Sequence, residues 1–208
     1  MAMLAAEPMT AENFVAMTHV SRETLARFEA YLALLRKWQG TVNLVGRSTM
    51  NDPWRRHFWD SAQLHPLIAP GATVVDLGSG AGFPGLVLAI LGGFTVHLVE
   101  SDQRKAAFLR EVARQTDTGI SLHVGRAEAL SPCRADVVTA RALASVGELI
   151  DMALRWLRPG GECLFLKGRR AADEIESASK RWRMRVGRIT SQSDPDGIIL
   201  QLGDIAHV

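Results

Sequence analysis

At 208 residues, with 47% hydrophobic and 22% charged side chains, the chain has room for one domain of ordinary size and a globular composition, which excludes wholesale disorder, collagen-like repeats and coiled coils. Lys and Arg number 24 against 22 Asp and Glu, so a net charge of +2 does not mark the whole chain as a nucleic-acid binder. No run approaches the ~20 apolar residues of a membrane span, Met1–Thr10 lack the pattern of a signal peptide, and Cys133 and Cys163 are too few for a disulfide framework or a four-ligand zinc site. The expectation is a cytoplasmic monomer with no membrane association and no metal, a loose extreme N-terminus, and two cysteines acting as small buried hydrophobes.

In chain order, Leu25, Phe28, Leu32, Leu35 and Trp38 recur at three- and four-residue spacing and predict a helix capped by Ser21. A second helical stretch is predicted from about Pro53 to Leu67, stopped by Pro70 and Gly71. From Thr73 onward, short runs rich in Val, Ile and Leu (Thr73–Leu77, Phe94–Val99, Ser121–Val124, Ala135–Thr139, Glu162–Lys167) alternate with helical patterns such as Asp102–Gln115 and Leu143–Leu157. Such alternation is the mark of βαβ units around a mostly parallel sheet with helices on both faces. Met184–Thr190 and Gly197–Leu202, joined by the turn-rich Ser191–Asp196, predict an antiparallel pair at the end. The organisation expected is a helical N-terminal extension over residues 1–70 followed by one compact α/β unit over 71–208.

Charge is unevenly spread. Lys167–Arg188 contains eight basic residues against three acidic ones, and 20 of the 24 cations are Arg. The segment reads either as a solvated helix face or as a polyanion-binding surface.

The densest chemical signal is Val74-Val75-Asp76-Leu77-Gly78-Ser79-Gly80-Ala81-Gly82-Phe83-Pro84-Gly85, an apolar strand running into alternating glycines and then a Pro expected at the first position of a helix. In an open parallel sheet that turn lies at the carboxyl end of the first strand, where ligands bind. Gly80, Gly82 and Gly85 satisfy G-x-G-x-x-G, and Glu100 follows at the distance of a ribose-binding acid, so a dinucleotide and hence an NAD-dependent reductase is one reading. Asp76 argues against it, because a carboxylate sits poorly beside a pyrophosphate but well beside the ammonium and sulfonium of S-adenosylmethionine. Glu100 can accept both ribose hydroxyls, with Ser101 beside it. A glycine turn serving only tight packing stays open as the third reading. Further on, Arg141 at the end of the fourth strand and Lys167 at the end of the fifth present two cations on one rim, which suits a phosphate-bearing substrate; a structural Arg paired with an acid is the alternative.

With these residues assembled, the chain resembles the RsmG family, also called glucose-inhibited division protein B, bacterial enzymes that methylate N7 of a guanine in 16S rRNA. The resemblance rests on Asn43-Leu44, Arg56-His57-Phe58-Trp59-Asp60-Ser61, Asp76 to Gly85, Arg141-Ala142 and Leu166-Lys167-Gly168, over roughly Trp38 to Gly168. The chain departs from the family pattern at Val45, Ala140 and Gly197-Ile198. What the resemblance implies is an α/β, Rossmann-like class I S-adenosylmethionine-dependent methyltransferase, with a seven-stranded mostly parallel sheet and an antiparallel C-terminal hairpin. It implies cofactor contacts at Gly78, Phe83, Ala127, Glu128 and Arg141, joining Asp76, Gly80, Gly82, Glu100 and Ser101 of the glycine-loop reading. It implies substrate-side catalytic roles for Asn43, His57, Asp60 and Lys167. Its partner would be 16S rRNA, free or in a small-subunit precursor particle. On the residues alone, His57 could equally be a hydrogen-bonded core histidine, Asn43 a turn residue, and Trp38, Trp54 and Trp59 core side chains. A methyltransferase acting on a small molecule and a non-catalytic RNA-binding protein also fit.

Overall fold

The computed structural model describes residues 7–208; the expectations of a loose extreme N-terminus and of no signal peptide fall wholly or partly on residues 1–6, which lie outside the described residues. Helices α1 (Ala11–Thr18) and α2 (Arg22–Gln39) come first. Ser21 caps α2 as expected, its hydroxyl accepting from Thr24 N. A 3-10 turn at Arg47–Asn51 leads into a π-helical turn at Trp54–Trp59, which runs on into α3 (Asp60–Ala62) and a 3-10 turn at His65–Leu67. The predicted second helix therefore exists, but as three helix types in succession. The π turn carries Arg56 and His57, and such turns recur at functional sites.

The α/β part follows as β1 (Thr73–Leu77), α4 (Gly85–Leu91), β2 (Thr95–Glu100), α5 (Gln103–Gln115), β3 (Ser121–Val124), β4 (Ala135–Arg141), α6 (Val146–Trp156), β5 (Leu157–Lys167), α7 (Ala171–Ser179), β6 (Trp182–Thr190) and β7 (Ile198–His207). These strands form one seven-stranded sheet in the order β3-β2-β1-β4-β5-β7-β6. The first five are parallel; β7 lies antiparallel between β5 and β6. The predicted antiparallel pair is present, and its insertion beside β5 gives the sheet an order that differs from the 3-2-1-4-5-6 of dinucleotide-binding folds. The expected alternation of strands and helices, and with it the α/β class, holds.

Side chains alternate across β1. Val74 joins the core under α2, α4 and α5, whereas Val75 and Leu77 join the core under α6 and α7. The first of these layers is aromatic: Phe14 and Phe28 meet edge to face at 5.1 Å, Tyr31 stacks on Phe83 at 5.2 Å, and Phe58 meets Phe83 at 5.5 Å. Trp54 and Trp59 are buried in it and half-buried Trp38 packs against Phe108, so the core reading of the three tryptophans holds. N-terminal helices and sheet thus share one core. Cys163 is buried, and burial raises its thiol well above the usual range, but Cys133 is only half-buried. Among the described residues, no helix is long and apolar enough to cross a membrane.

The glycine motif is where these layers meet. Pro84 is the N-cap of α4 rather than its first residue, and Gly85 opens the helix against Asp76 and Leu98 with no room for a Cβ. Gly82 has φ +91, and a Cβ there would strike the Tyr31 hydroxyl and lie 2.9 Å from Leu86 Cβ. Gly71 has φ +80 but open space around it. Gly82→Ala should therefore cost about 2–4 kcal/mol from overpacking plus backbone strain, and Gly71→Ala about 1 kcal/mol from strain alone. Urea unfolding of the two variants reads the difference; equal losses would mean that Gly82 is needed only for its backbone angle.

Candidate active site

A cavity of about 820 Å³ opens at the carboxyl ends of β1, β4 and β5. Its floor is the loop after β1. Gly78 and Gly80 have φ of +62 and +56, left-handed values that glycine adopts without a Cβ penalty. The turn is fixed from below: Ser79 N donates to Val99 O at 3.0 Å, Ser79 Oγ to Asp76 O at 2.9 Å, Gly82 N to Ser79 O at 2.6 Å, and the Tyr31 hydroxyl to Ala81 O. One wall is Glu100, at the end of β2. Its Oε2 accepts from Gly80 N and its Oε1 from Asp102 N, both at 2.7 Å, and it is 5% exposed. Each oxygen keeps a lone pair for a further donor. Of the residues expected at the cofactor, Gly78, Gly80, Phe83, Glu100, Ser101 and Arg141 line the cavity, joined by Ser79 and Ala81.

Asp76, Gly82, Ala127, Glu128 and Asn43 do not line it. Asp76 is completely buried on the α4 side of the sheet, where its Oδ1 accepts from Thr139 Oγ1 at 2.8 Å and its Oδ2 has no partner. Burial pushes its carboxyl up to about 6 against that hydrogen bond. The expectation that this carboxylate lies beside a bound cation is corrected: alternation along β1 turns it beneath the loop. Gly82 packs on Tyr31, Ala127 is buried in the α6-side core and Glu128 is exposed. Asn43 is exposed, next to the lining residues Leu44 and Val45, whose N–H groups donate to Gln39 Oε1 at 3.1 Å each.

The opposite wall centres on Arg141, at the end of β4. Its Nη1 donates to Arg56 O at 3.0 Å and to Asp60 Oδ2 at 3.2 Å, its Nη2 donates to His57 Nδ1 at 3.1 Å, and its Cζ lies 5.0 Å above the Phe83 ring. Nε–H and one Nη2–H have no partner among the described residues. A guanidinium only donates, so His57 Nδ1 is the bare nitrogen and Nε2–H donates to Thr49 Oγ1 at 2.8 Å. Both ring nitrogens are thereby used, the ring stacks on Phe83 at 4.9 Å and the residue is 4% exposed. That is the geometry of the hydrogen-bonded core histidine. Asp60 Oδ1 accepts from Ser193 Oγ at 2.5 Å, so this carboxylate is also used internally.

Lys167 lines the cavity, yet its Nζ pairs with Glu174 at 2.6 Å and donates to Ala144 O at 2.8 Å, with its side chain 9% exposed. The pair of free rim cations expected from sequence is therefore corrected: Arg141 and Lys167 both point into protein partners. The basic segment is half offset: Arg169 pairs with Asp196, Arg181 with Asp151, and Arg185 with Glu162 and Asp204, while Arg170, Lys180, Arg183 and Arg188 have no acid partner among the described residues. Arg56, Lys105, Glu174, Ser193 and Asp194 were not singled out as site residues. Arg56 meets Asp194 at 2.5 Å across 138 residues of sequence, a separation at which no local pattern exists to read.

A match to the family described as "GidB: rRNA small subunit methyltransferase G" spans residues 24–194. Similar proteins named ribosomal RNA small subunit methyltransferase G include one from Rhodospirillum centenum, 58% identical over 98% of this chain and 94% of that protein. One from Gluconobacter oxydans is 47% identical over 92% of this chain and all of that protein. Among solved structures, M. jannaschii TYW2 in complex with AdoMet is similar in fold at a TM-score of 0.57 and 12% identity, covering 72% of this chain and 75% of that one. A ribosomal protein L11 methylase from Lactobacillus delbrueckii subsp. bulgaricus gives a TM-score of 0.56 at 20% identity over 71% and 78%.

Burial, then the cations Arg141 and Arg56, lowers the His57 ring to about 3. Between about pH 3 and 6.5 the native state then binds fewer protons than the unfolded chain, so the stabilisation is complete above 6.5 and is lost as pH falls toward 3. Asp76 acts in the opposite sense, its contribution falling as pH rises through about 6. NMR of the His57 ring should show no titration step from about pH 5 to 8; a step near 6.5 would mean that the ring faces solvent.

Proposed function

The chain belongs to the GidB family of rRNA small subunit methyltransferases G, and from that premise we propose that its cavity binds S-adenosylmethionine over the glycine loop and methylates N7 of a guanine in 16S rRNA. The observation that carries the reading is the Gly78–Ala81 loop facing a buried Glu100 in a sheet of order 3-2-1-4-5-7-6. That order favours a methyl donor over a nicotinamide dinucleotide, whereas Asp76, turned away from the cavity, does not distinguish the two. The chemistry of the acceptor, a purine nitrogen in RNA rather than a small molecule, comes from the family.

Bound there, S-adenosylmethionine supplies an electrophilic methyl group. Gly78 and Gly80 let the backbone approach the ligand closely. Glu100 accepts ribose hydroxyls through the lone pairs that Gly80 N and Asp102 N leave free, with Ser101 beside it. The two unpartnered N–H groups of Arg141 would be available to hold the carboxylate of the donor, with the guanidinium supported by the Phe83 ring. Guanine N7 carries a lone pair at neutral pH, so no proton has to leave before it attacks and no general base is needed. A neutral, doubly hydrogen-bonded His57 fits such a site. Catalysis would then rest on alignment, with the residues of the cavity holding N7 against the donor's methyl group. Asp60 and Glu174, which pair with Arg141 and Lys167, would offset these two cations beside a base that gains positive charge. His57, Asp60 and Lys167 act as positioning residues, and Asn43 meets substrate at the rim. Ala127 and Glu128, on the loop after β3, would contact the adenine, as the family reading implies. The enzyme acts in the cytoplasm as a monomer on unpaired rRNA, free or within a small-subunit precursor, because a base in a duplex does not present itself to such a cavity.

Gly78→Val should abolish cofactor binding, since the added side chain would strike Leu143, 2.6 Å from the Cβ position, and close the floor. Calorimetry with S-adenosylmethionine reads this directly, and normal affinity would mean that the loop does not hold the donor. Incubating the wild-type protein with labelled donor and unmethylated small-subunit rRNA, then mapping the modified nucleotide, tests the acceptor: label anywhere but N7 of a guanine would contradict the assignment.

A further inference from the structure

Three large apolar side chains are exposed among the described residues: Met17, Leu143 and Val208. Leu143 alone lines the cavity, 42% exposed in a wall otherwise rich in charge. Single exposed apolar residues are ordinary on protein surfaces. This one is held in place from both sides. Ala142 before it has φ +51, a left-handed value uncommon for a residue with a Cβ. Arg141 is tied to two groups of the π-helical turn, Arg56 O and His57 Nδ1, and to Asp60 at the start of α3. On the other side, Ser145 and Glu148 form a capping box at the start of α6, Glu174 accepts from Val146 N at 3.0 Å, and Lys167 donates to Ala144 O. A four-residue turn pinned at each end thus lays an uncovered isobutyl group against Gly78.

The sheet order says what could cover it. On the proposed reading, a donor with its ribose on Glu100 at the end of β2 and its amino-acid end toward Arg141 at the end of β4 would cross β1 and bring its methyl group near Leu143, which lies against Gly78 at the end of β1. We propose that Leu143 is the apolar platform on which the acceptor guanine rests, its methyl groups against the face of the purine while the N7 edge turns toward the donor. Flipped or unpaired bases are held by apolar contact on the face and hydrogen bonds at the edge. Here the faces are served by Leu143 and the edge by the polar wall of Thr49, Arg56 and Ser191. The inference rests on the methyltransferase reading and adds a contact for the acceptor to it.

Leu143→Ala, Leu143→Ser and Leu143→Met test it, with tritiated S-adenosylmethionine and small ribosomal subunits lacking the methyl group as substrates and calorimetry of the donor in parallel. The expected result is a fall in kcat/KM for subunits of about tenfold in the Ala variant and more in the Ser variant, near-normal values in the Met variant, and donor affinity unchanged within about twofold. Unchanged kcat/KM in the Ser variant would overturn the proposal. So would a loss of donor affinity equal to the loss in kcat/KM, which would make Leu143 a cover for the cofactor. Wild-type protein that binds the donor but methylates no subunit would instead overturn the methyltransferase reading, and this inference with it.

Discussion

The structure depends on one largely buried ion pair. Arg141 and Asp60 have side chains only 18% and 16% exposed, and the charge on each is compensated by the other and by hydrogen bonds. Two charges removed from water are tolerated only when paired in this way, and removing one partner of such a pair typically costs about 3–5 kcal/mol because the other is left uncompensated. The pair does more than satisfy itself. Arg141 ends β4, Asp60 follows the π-helical turn, and Ser193, which donates to Asp60, lies in the connection between β6 and β7. Three segments far apart in sequence thus close over the glycine loop, and Arg56–Asp194 and Gln63 bonded to Gln192 N repeat the connection beside it. Without that closure the carboxyl ends of the strands would form an open shelf instead of a cavity.

Composition and periodicity made the sheet legible because a central strand such as Thr73–Leu77 is buried on both faces and reads as a short apolar run; it and the half-buried edge strand Ser121–Val124 match the observed strands residue for residue. What local pattern could not show is order. The insertion of β7 between β5 and β6 depends on pairings such as Phe165 with Leu200, across 35 residues, and the early start of β5 at Leu157 on an irregular register opposite Ala135–Val137. Helix α7 is legible only as the solvated-helix reading of Lys167–Arg188, without bounds, because Ala171–Ser179 has a narrow apolar stripe with Ala171, Ile175 and Ala178 its buried residues.

The site was legible in its floor and misread in its charges. Glycines announce backbone that must turn left-handed or come close to something, so Gly78 and Gly80 could be read from spacing alone. The orientation of Asp76 follows from strand alternation, yet the ligand argument pulled it toward the cavity. For Arg141 and Lys167, residue type suggested phosphate, while the acids that occupy them, Asp60 and Glu174, lie 81 and 7 residues away and carry no motif that names their partners. A cation's identity in sequence does not disclose whether its charge is free. The resulting cavity is low in mobile protons and rich in fixed donors and acceptors, which suits a reaction limited by alignment.

The claim that Arg141 assembles the cavity is tested most directly by amide hydrogen exchange in Arg141→Met against the wild-type protein. The account predicts faster exchange confined to Trp54–Ala62 and Ser191–Asp196, with β1, β2 and β4 as protected as before. Unchanged protection of those two segments, or a loss spread evenly over the whole sheet, would contradict it.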